Sequence, residues 1–320
     1  MFLVQIVLHS AIALFMVERA LRIWHIEEPA VRFRYRVTVI VLPALMFPLF
    51  QLITPGRGGF YFREDIAVFD AQRWLEISLW GKVALGGVFF AAIAVTSGLM
   101  FVQEMIPVIR HLLAKRHGHA ARPAHGPSAG PETGGILAEL STASGMPAPP
   151  VYVSDDETPV IFTTGSRHPA IVLSRGLMET FDGEELKCAL AHELAHIKRK
   201  TNLTTLLVFV FRLLMFYNPV SLITFRRAVQ DDELICDDLT VSLTGRPDVL
   251  ASTLRSFYFP VPQGRGIRLL REAVETRSHN LLLEERIRRL EENREIDRAP
   301  GWGRYALTVA AIAGICYFVV

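Results

Sequence analysis

Cysteine is nearly missing from this chain of 320 residues: Cys188, Cys236 and Cys316 stand far apart in the sequence. So sparse and odd a set excludes a disulfide framework and a cysteine-based zinc site, and it fits a reduced compartment. Charge of one sign is lacking too, since 34 basic residues face 32 acidic ones. That balance carries no footprint of a nucleic-acid-binding domain, so no nucleic acid is expected as a partner. Charged residues are only 21% of the chain against 51% hydrophobic, and the mean hydropathy is +0.30. Such a composition excludes an ordinary water-soluble protein of this length. No internal repeat is visible.

The apolar residues are gathered into runs. A bilayer core about 30 Å thick asks for roughly 20 apolar residues in a helix. Met1 to Val17, Val37 to Ile53 and Val83 to Val102 approach or meet that length, and a last run, Leu307 to Val320, follows much later. The first run lacks a small-residue cleavage signature and reads as a retained anchor. The second contains Pro43 and Pro48 and is expected to kink. Arg19, Arg22, Arg32, Arg34 and Arg36 place the segment between the first two runs on the cytoplasmic side. Arg110, Lys115, Arg116 and Arg122 return the chain there after the third run, and the segment 54–82 falls outside.

The expected organisation is a membrane domain over 1–109 with three transmembrane helices, a flexible linker over 110–135, a cytoplasmic domain over 136–304 and a transmembrane helix over 305–320. The linker's His111, His117, His119 and His125 read as parts of a polar tether, because a mobile backbone does not preorganise metal ligands.

Residues 182–199 read DGEELKCALAHELAHIKR. Asp182 and Glu185 have capping-box spacing, acidic residues fill the first turn and basic ones the last, so this is a helix. It contains His192, Glu193 and His196 as H-E-x-x-H. Histidines four apart project from one helical face and can share one zinc ion, while the intervening glutamate can take a proton from a metal-bound water. Zn²⁺ is therefore the expected cofactor, with Glu193 as the catalytic base.

Two histidines leave the ligand set one short of the usual three. The next acidic cluster is DDELICDD at 231–238, where Glu233 and Asp237 share a helical face. Glu233 is expected to ligate zinc. Asp237 is expected to accept an imidazole N–H from a ligand histidine and fix its tautomer. Asp231, Asp232 and Asp238 read as solvated surface charges, and Cys188 as a small buried thiol.

HELAH at 192–196 followed by ELICD at 233–237 resembles the glutamate-type zincins with an E-x-x-x-D second motif. The cysteine at 236, the stretch YNPVSLITFRRAVQDDE before it, RHPAIVLSRGLMETFDGEELKCAL before the first motif and LLLEERIRRLEE after the second are similar to the membrane metallopeptidases of the BlaR/MecR antirepressor type. The resemblance covers roughly residues 134–290. It implies a mainly α integral membrane protein carrying an α+β zincin-like metallopeptidase domain with a small edge-strand sheet. It also implies a cytoplasmic regulator, such as a repressor, or the enzyme itself as substrate, in a bacterial inner membrane. The external penicillin-binding domain of those sensors has no counterpart in these residues, so beta-lactam sensing is not carried over.

Ala170 to Ser174 reads as a strand whose edge pairs with an extended peptide substrate. Residues 203–223 are apolar, yet a single crossing would strand Glu233 away from the histidines. A membrane-dipping turn broken at Asn218-Pro219, with Arg212 snorkelling or paired, is expected. Gly266 to Glu295 shows helical apolar spacing and is expected to pack on the catalytic core. Arg226, Arg227, Tyr258 and His279 are candidates for stabilising the oxyanion.

Beside the peptide substrate, the expected partners are the lipid bilayer and either a second copy of the chain or another membrane protein. A quality-control protease for membrane proteins and a non-catalytic, zinc-stabilised receptor or scaffold remain the alternatives.

Overall fold

In the computed structural model the described residues are 2–79, 81, 83–116, 130–165, 168–200, 208, 210–211, 213–258, 283–292 and 301–320. They divide into two units. One comprises Met1–His117, Leu206–Asp232 and Ile296–Val320, the other Gly118–Thr205 and Glu233–Glu295.

The first unit is helical. Its long helices α1 (Phe2–Ile23) and α2 (Pro29–Ile53) are apolar and long enough to cross a membrane. Pro43 and Pro48 lie inside α2 as the sequence indicated. The helix α3 (Ala71–Glu76) is capped by the Asp70 carboxylate, which accepts from the Gln72 backbone N–H. A short hairpin of β1 (Ser78–Leu79) and β2 (Val83–Ala84) then leads into α4 (Leu85–Arg116). The third apolar run thus enters its helix only at Leu85, and that helix continues to Arg116.

Ala13, Val17, Val39, Met46 and Ile312 form the apolar seam of this unit. Ile312 belongs to the last helix (Trp302–Tyr317), whose 16 residues fall short of the roughly 20 that a bilayer core asks for. Beyond it, Arg57 is buried and donates to the backbone carbonyls of Cys316, Tyr317 and Val319 at 2.6–2.9 Å. The guanidinium thereby adds donors to carbonyls at and just beyond the end of this helix, where intrahelical partners run out.

The second unit is α+β. Helix α5 (Pro131–Ser144) ends at Gly145, whose positive φ of 69° is the left-handed closing conformation that glycine adopts without steric cost. Helices α4 and α5 take in both ends of the 110–135 stretch; 117–129, with His117, His119 and His125, lie outside the described residues. A three-stranded sheet follows, made of β3 (Val151–Ser154), β4 (Ile161–Thr164) and β5 (Ala170–Ser174).

The sheet order β3-β5-β4 corrects the sequence expectation: β5 is the central strand, parallel to β3 and antiparallel to β4. All five of its residues are buried. An unbroken apolar run is what a strand covered on both faces carries, whereas an edge strand alternates. Here β4 alternates, with Phe162 and Thr164 exposed and Ile161 and Thr163 turned the other way.

After β5 the chain makes a short helix α6 (Arg175–Thr180), capped by Ser174, and enters the motif helix α7 (Gly183–Lys200). The capping box of α7 is realised in full. Asp182 Oδ1 accepts from the Glu184 and Glu185 backbone N–H groups at 2.9 and 2.8 Å, and Glu185 Oε2 accepts from the Asp182 N–H at 3.2 Å. One side of α7, through Leu186, Leu190, Leu194 and Ile197, packs with Leu140, Ile171 and Leu173. The Cys188 side packs with Leu250 and Leu254 of a helix at Pro247–Tyr258 and with Leu283, Ile287 and Leu290 of a helix at 283–291. Of the amphipathic segment expected over 266–295, the part at 283–292 thus packs on the motif helix through these three residues, and 266–282 and 293–295 lie outside the described residues.

A helix at Pro219–Thr244, α8, carries the second acidic cluster. Asn218 caps it, its Oδ1 accepting from the Val220 and Ser221 N–H groups while its Nδ2 donates to Ser10 Oγ at 2.9 Å. The break expected at Asn218-Pro219 is this helix start. Residues 201–207, 209 and 212 lie outside the described residues, and Arg212 with them.

Candidate metal centre

The motif helix supplies two rings and α8 one carboxylate. His192 Nε2 stands 3.6 Å from Glu233 Oε2, and His196 Nε2 stands 3.6 Å from Glu233 Oε1. The three groups offer ligand atoms that all lie within 4.8 Å of one another. Bonds of about 2.0–2.1 Å to a tetrahedral zinc place neighbouring donor atoms about 3.3 Å apart, close to the 3.6 Å of each histidine–carboxylate pair, while the widest separation of up to 4.8 Å has to close on the ion. Two imidazoles and one carboxylate also leave the fourth position for water, as a catalytic site requires. The donor set therefore fits the metal that the sequence implies.

Each ring turns its other nitrogen to α8. His192 Nδ1 faces Asp237 Oδ1 at 3.4 Å, an ion-pair distance without hydrogen-bond alignment. His196 Nδ1 contacts Cys236 Sγ at 3.4 Å. Glu233, Cys236 and Asp237 are spaced i, i+3 and i+4, so one turn of helix presents all three to the motif helix.

Two site residues escaped the sequence reading. Arg286, from the helix at 283–291, grips Asp237 with Nε and Nη2 at 2.7 Å each, and its Nη1 stands 3.3 Å from Glu233 Oε2. A bidentate guanidinium holds a carboxylate by direction as well as by charge. Thr163, on β4, donates from Oγ1 to Glu193 Oε2 at 2.6 Å. No motif marks either residue, since both partners are remote in sequence.

Electrostatics keep the candidate ligand ionised. Burial alone would raise the Glu233 carboxyl, but hydrogen bonding to His192 and the charges of His196 and Arg286 outweigh it and hold the group down at about 2. Cys188 takes no part in the cluster. Its thiol lies in the apolar seam, and burial pushes it up to about 11.

The remaining acidic residues divide. Asp238 pairs with Arg289 at 2.6 Å near the surface. Asp231 corrects the reading as a solvated charge: it is fully buried, with Arg36 at 2.5 Å and Arg32 at 3.1 Å. Of the oxyanion candidates, Arg227 is engaged with Glu18 at 2.7 Å and Arg226 is exposed. Tyr258 ends its helix, its side chain outside the description, and His279 lies outside the described residues.

A cavity beside the cluster is lined by Ile161, Ala189, Leu250, Thr253 and Leu254 together with His192 and Glu193. The Thr253 hydroxyl is already spent on the Val249 carbonyl at 2.8 Å, so the walls are apolar apart from the two catalytic candidates.

Comparison with known proteins adds a family name to this geometry. Residues 126–246, which include α7 and both acidic candidates, match the sequence model of the BlaR1 peptidase M56 family. The chain is also similar to proteins named as HtpX protease homologues. That of Aquifex aeolicus is 46% identical over 67 residues, covering 20% of this chain and 22% of the relative. That of Levilactobacillus brevis is 27% identical over 152 residues, covering 46% and 49%, and that of Bifidobacterium longum 32% over 104 residues, covering 32% and 34%. The chain spans between about a fifth and about half the length of these curated relatives. By two independent comparisons, then, what the central part of this chain is similar to is a peptidase.

Proposed function

We propose that the chain is a membrane-embedded, zinc-dependent endopeptidase that cleaves a cytoplasmic or membrane-proximal protein. The observation that carries this reading is the convergence of His192 Nε2, His196 Nε2 and the Glu233 carboxylate, with Glu193 held beside them by Thr163. A purely structural metal site has no use for Glu193. Apolar helices α1 and α2 support the membrane part, and the peptidase names of the similar proteins support the chemistry.

His192, His196 and Glu233 would hold Zn²⁺, which supplies a Lewis acid for the scissile carbonyl and makes bound water acidic enough to deprotonate near neutrality. Glu193 takes the proton of the attacking water and later delivers it to the leaving amine. Thr163 fixes which oxygen of Glu193 is free for that transfer by binding the other. Asp237, braced by Arg286, holds His192 in the tautomer that leaves Nε2 unprotonated for the metal.

Extended peptide is accepted along β4, which among the described residues is paired on one side only. Its main-chain groups supply ladder hydrogen bonds, and the cavity beside Glu193 takes an apolar side chain of the substrate. The substrate is a regulator such as a repressor, or the enzyme itself, and the setting is signal transduction at a bacterial inner membrane, with the catalytic unit in the cytoplasm.

The test compares protein N-termini in cells carrying the wild type and cells carrying Glu193→Gln, before and after envelope stress. New termini in one or two cytoplasmic regulators, found only with the wild type, are the expected result. Termini scattered over many membrane proteins would assign the enzyme to quality control, and identical profiles would overturn the peptidase reading.

A further inference from the structure

We infer that Cys236 is a positioning residue of the metal centre, acting on the ligand His196. The inference rests on the metallopeptidase reading and adds to it a residue and a role. An imidazole that gives Nε2 to a metal carries its remaining proton on Nδ1, and that N–H needs an acceptor, because a buried donor left without one costs free energy and lets the ring turn. For His196 an atom in place is Cys236 Sγ, 3.4 Å from Nδ1, on a side chain that is fully buried. Thiol sulfur accepts hydrogen bonds weakly, but it is large and polarisable and fills the space behind the ring.

The two ligand histidines therefore have unlike supports. His192 faces Asp237, a carboxylate itself gripped by Arg286. His196 turns its Nδ1 to the Cys236 sulfur. The difference has an electrostatic reason. Glu233 and Asp237 already bring two negative charges to this turn of α8, with Arg286 touching both. A third carboxylate at 236 would stand against them in a buried site, whereas a thiol sulfur accepts a hydrogen bond from the imidazole N–H without adding charge. Cys188, the other cysteine of this unit, is spent on apolar packing four residues before His192 and can take no such part.

The experiment uses the full chain in detergent, with Cys236→Ala and Cys236→Ser. Zinc affinity is measured by competition with a chromogenic chelator, the visible spectrum is recorded after Co²⁺ substitution, and melting is followed on the metal-stripped protein. Cys236→Ala is expected to weaken zinc binding about tenfold, the scale on which partners of metal ligands act, and to alter the Co²⁺ spectrum. Cys236→Ser, whose hydroxyl also accepts, is expected to regain most of both. Wild-type affinity and spectrum in Cys236→Ala would overturn the inference. So would equal losses in the two variants accompanied by equal loss of melting temperature in the stripped protein, which would make Cys236 a packing residue. A wild-type chain that holds no zinc would instead overturn the metal reading itself, and this inference with it.

Discussion

The guanidinium of Arg36 lies 2.5 Å from the carboxylate of Asp231, in the interior, two residues before Glu233 on the same helix. Arg32, one helical turn earlier, reaches the other oxygen of that carboxylate at 3.1 Å. Breaking a buried pair by deleting one partner leaves a charge that has lost both water and counter-ion, at a cost of about 3 kcal/mol or more. Asp231→Ala is therefore expected to lower thermal stability in detergent by several degrees, while Arg32→Ala, at the partly exposed end of the pair, costs less. Equal melting of wild type and Asp231→Ala would show that the pair contributes nothing.

Thr163 is the second relationship with a measurable consequence. A hydrogen bond to a charged group contributes about 1.5–3 kcal/mol, so Thr163→Val, which loses the hydroxyl and keeps the shape, should slow peptide cleavage at least tenfold with zinc content unchanged. Thr163→Ser should retain most of the rate. A Thr163→Val enzyme with wild-type turnover would remove Thr163 from the account of how Glu193 is oriented.

Arg286 lies beyond the 126–246 segment that matches the peptidase family, yet it touches both carboxylates of the centre. Substitution by Met leaves Asp237 buried without its counter-charge, and zinc affinity should fall about 10- to 100-fold. Arg286→Lys should recover only part of this, since a lysine cannot make the bidentate contact. Chelator competition on the three proteins checks the order.

On the proposed reading, the cavity beside Glu193 takes the substrate side chain next to the scissile bond. Ala189 lies at its wall, so Ala189→Leu should fill it and lower kcat/KM for substrates with a large aliphatic residue there, sparing those with a small one. Cleavage of a peptide set varied at that position measures the shift. A uniform loss across the set would mean that the cavity does not select.

Cys188 carries the pH dependence that this packing dictates. Burial raises its thiol to about 11 in the folded protein. Folding therefore favours the protonated form, and the contribution to stability is complete below the ordinary thiol range and is lost as pH climbs through that range towards 11. At pH 8 the folded chain should leave Cys188 unalkylated by iodoacetamide, and unfolding should expose it.

Much of the candidate site was legible because its signals are local. Asp182 with Glu185, His192 with His196, and Glu233 with Asp237 are pairs three or four residues apart, where helix geometry alone fixes who shares a face. What the sequence concealed depends on distant partners. Asp231 reads as one more surface charge in an acidic run because its counter-ions stand about two hundred residues earlier, in a segment that reads as a cytoplasmic connection. Thr163 and Arg286 carry no motif, and only the fold brings them to Glu193 and Asp237. The strand order was partly legible and was misread: AIVLS has the unbroken apolar character of a central strand, whereas the alternation of IFTT is that of an edge.

The central claim is that His192, His196 and Glu233 hold a zinc ion that serves Glu193. Zinc content of the purified full chain tests it most directly, compared among the wild type, Glu193→Gln, His196→Ala and Glu233→Ala. The account predicts equimolar zinc in the wild type and in Glu193→Gln, with cleavage lost only in the latter, and little zinc in the two ligand variants. Zinc retained in full by Glu233→Ala, or cleavage undiminished in Glu193→Gln, would contradict it.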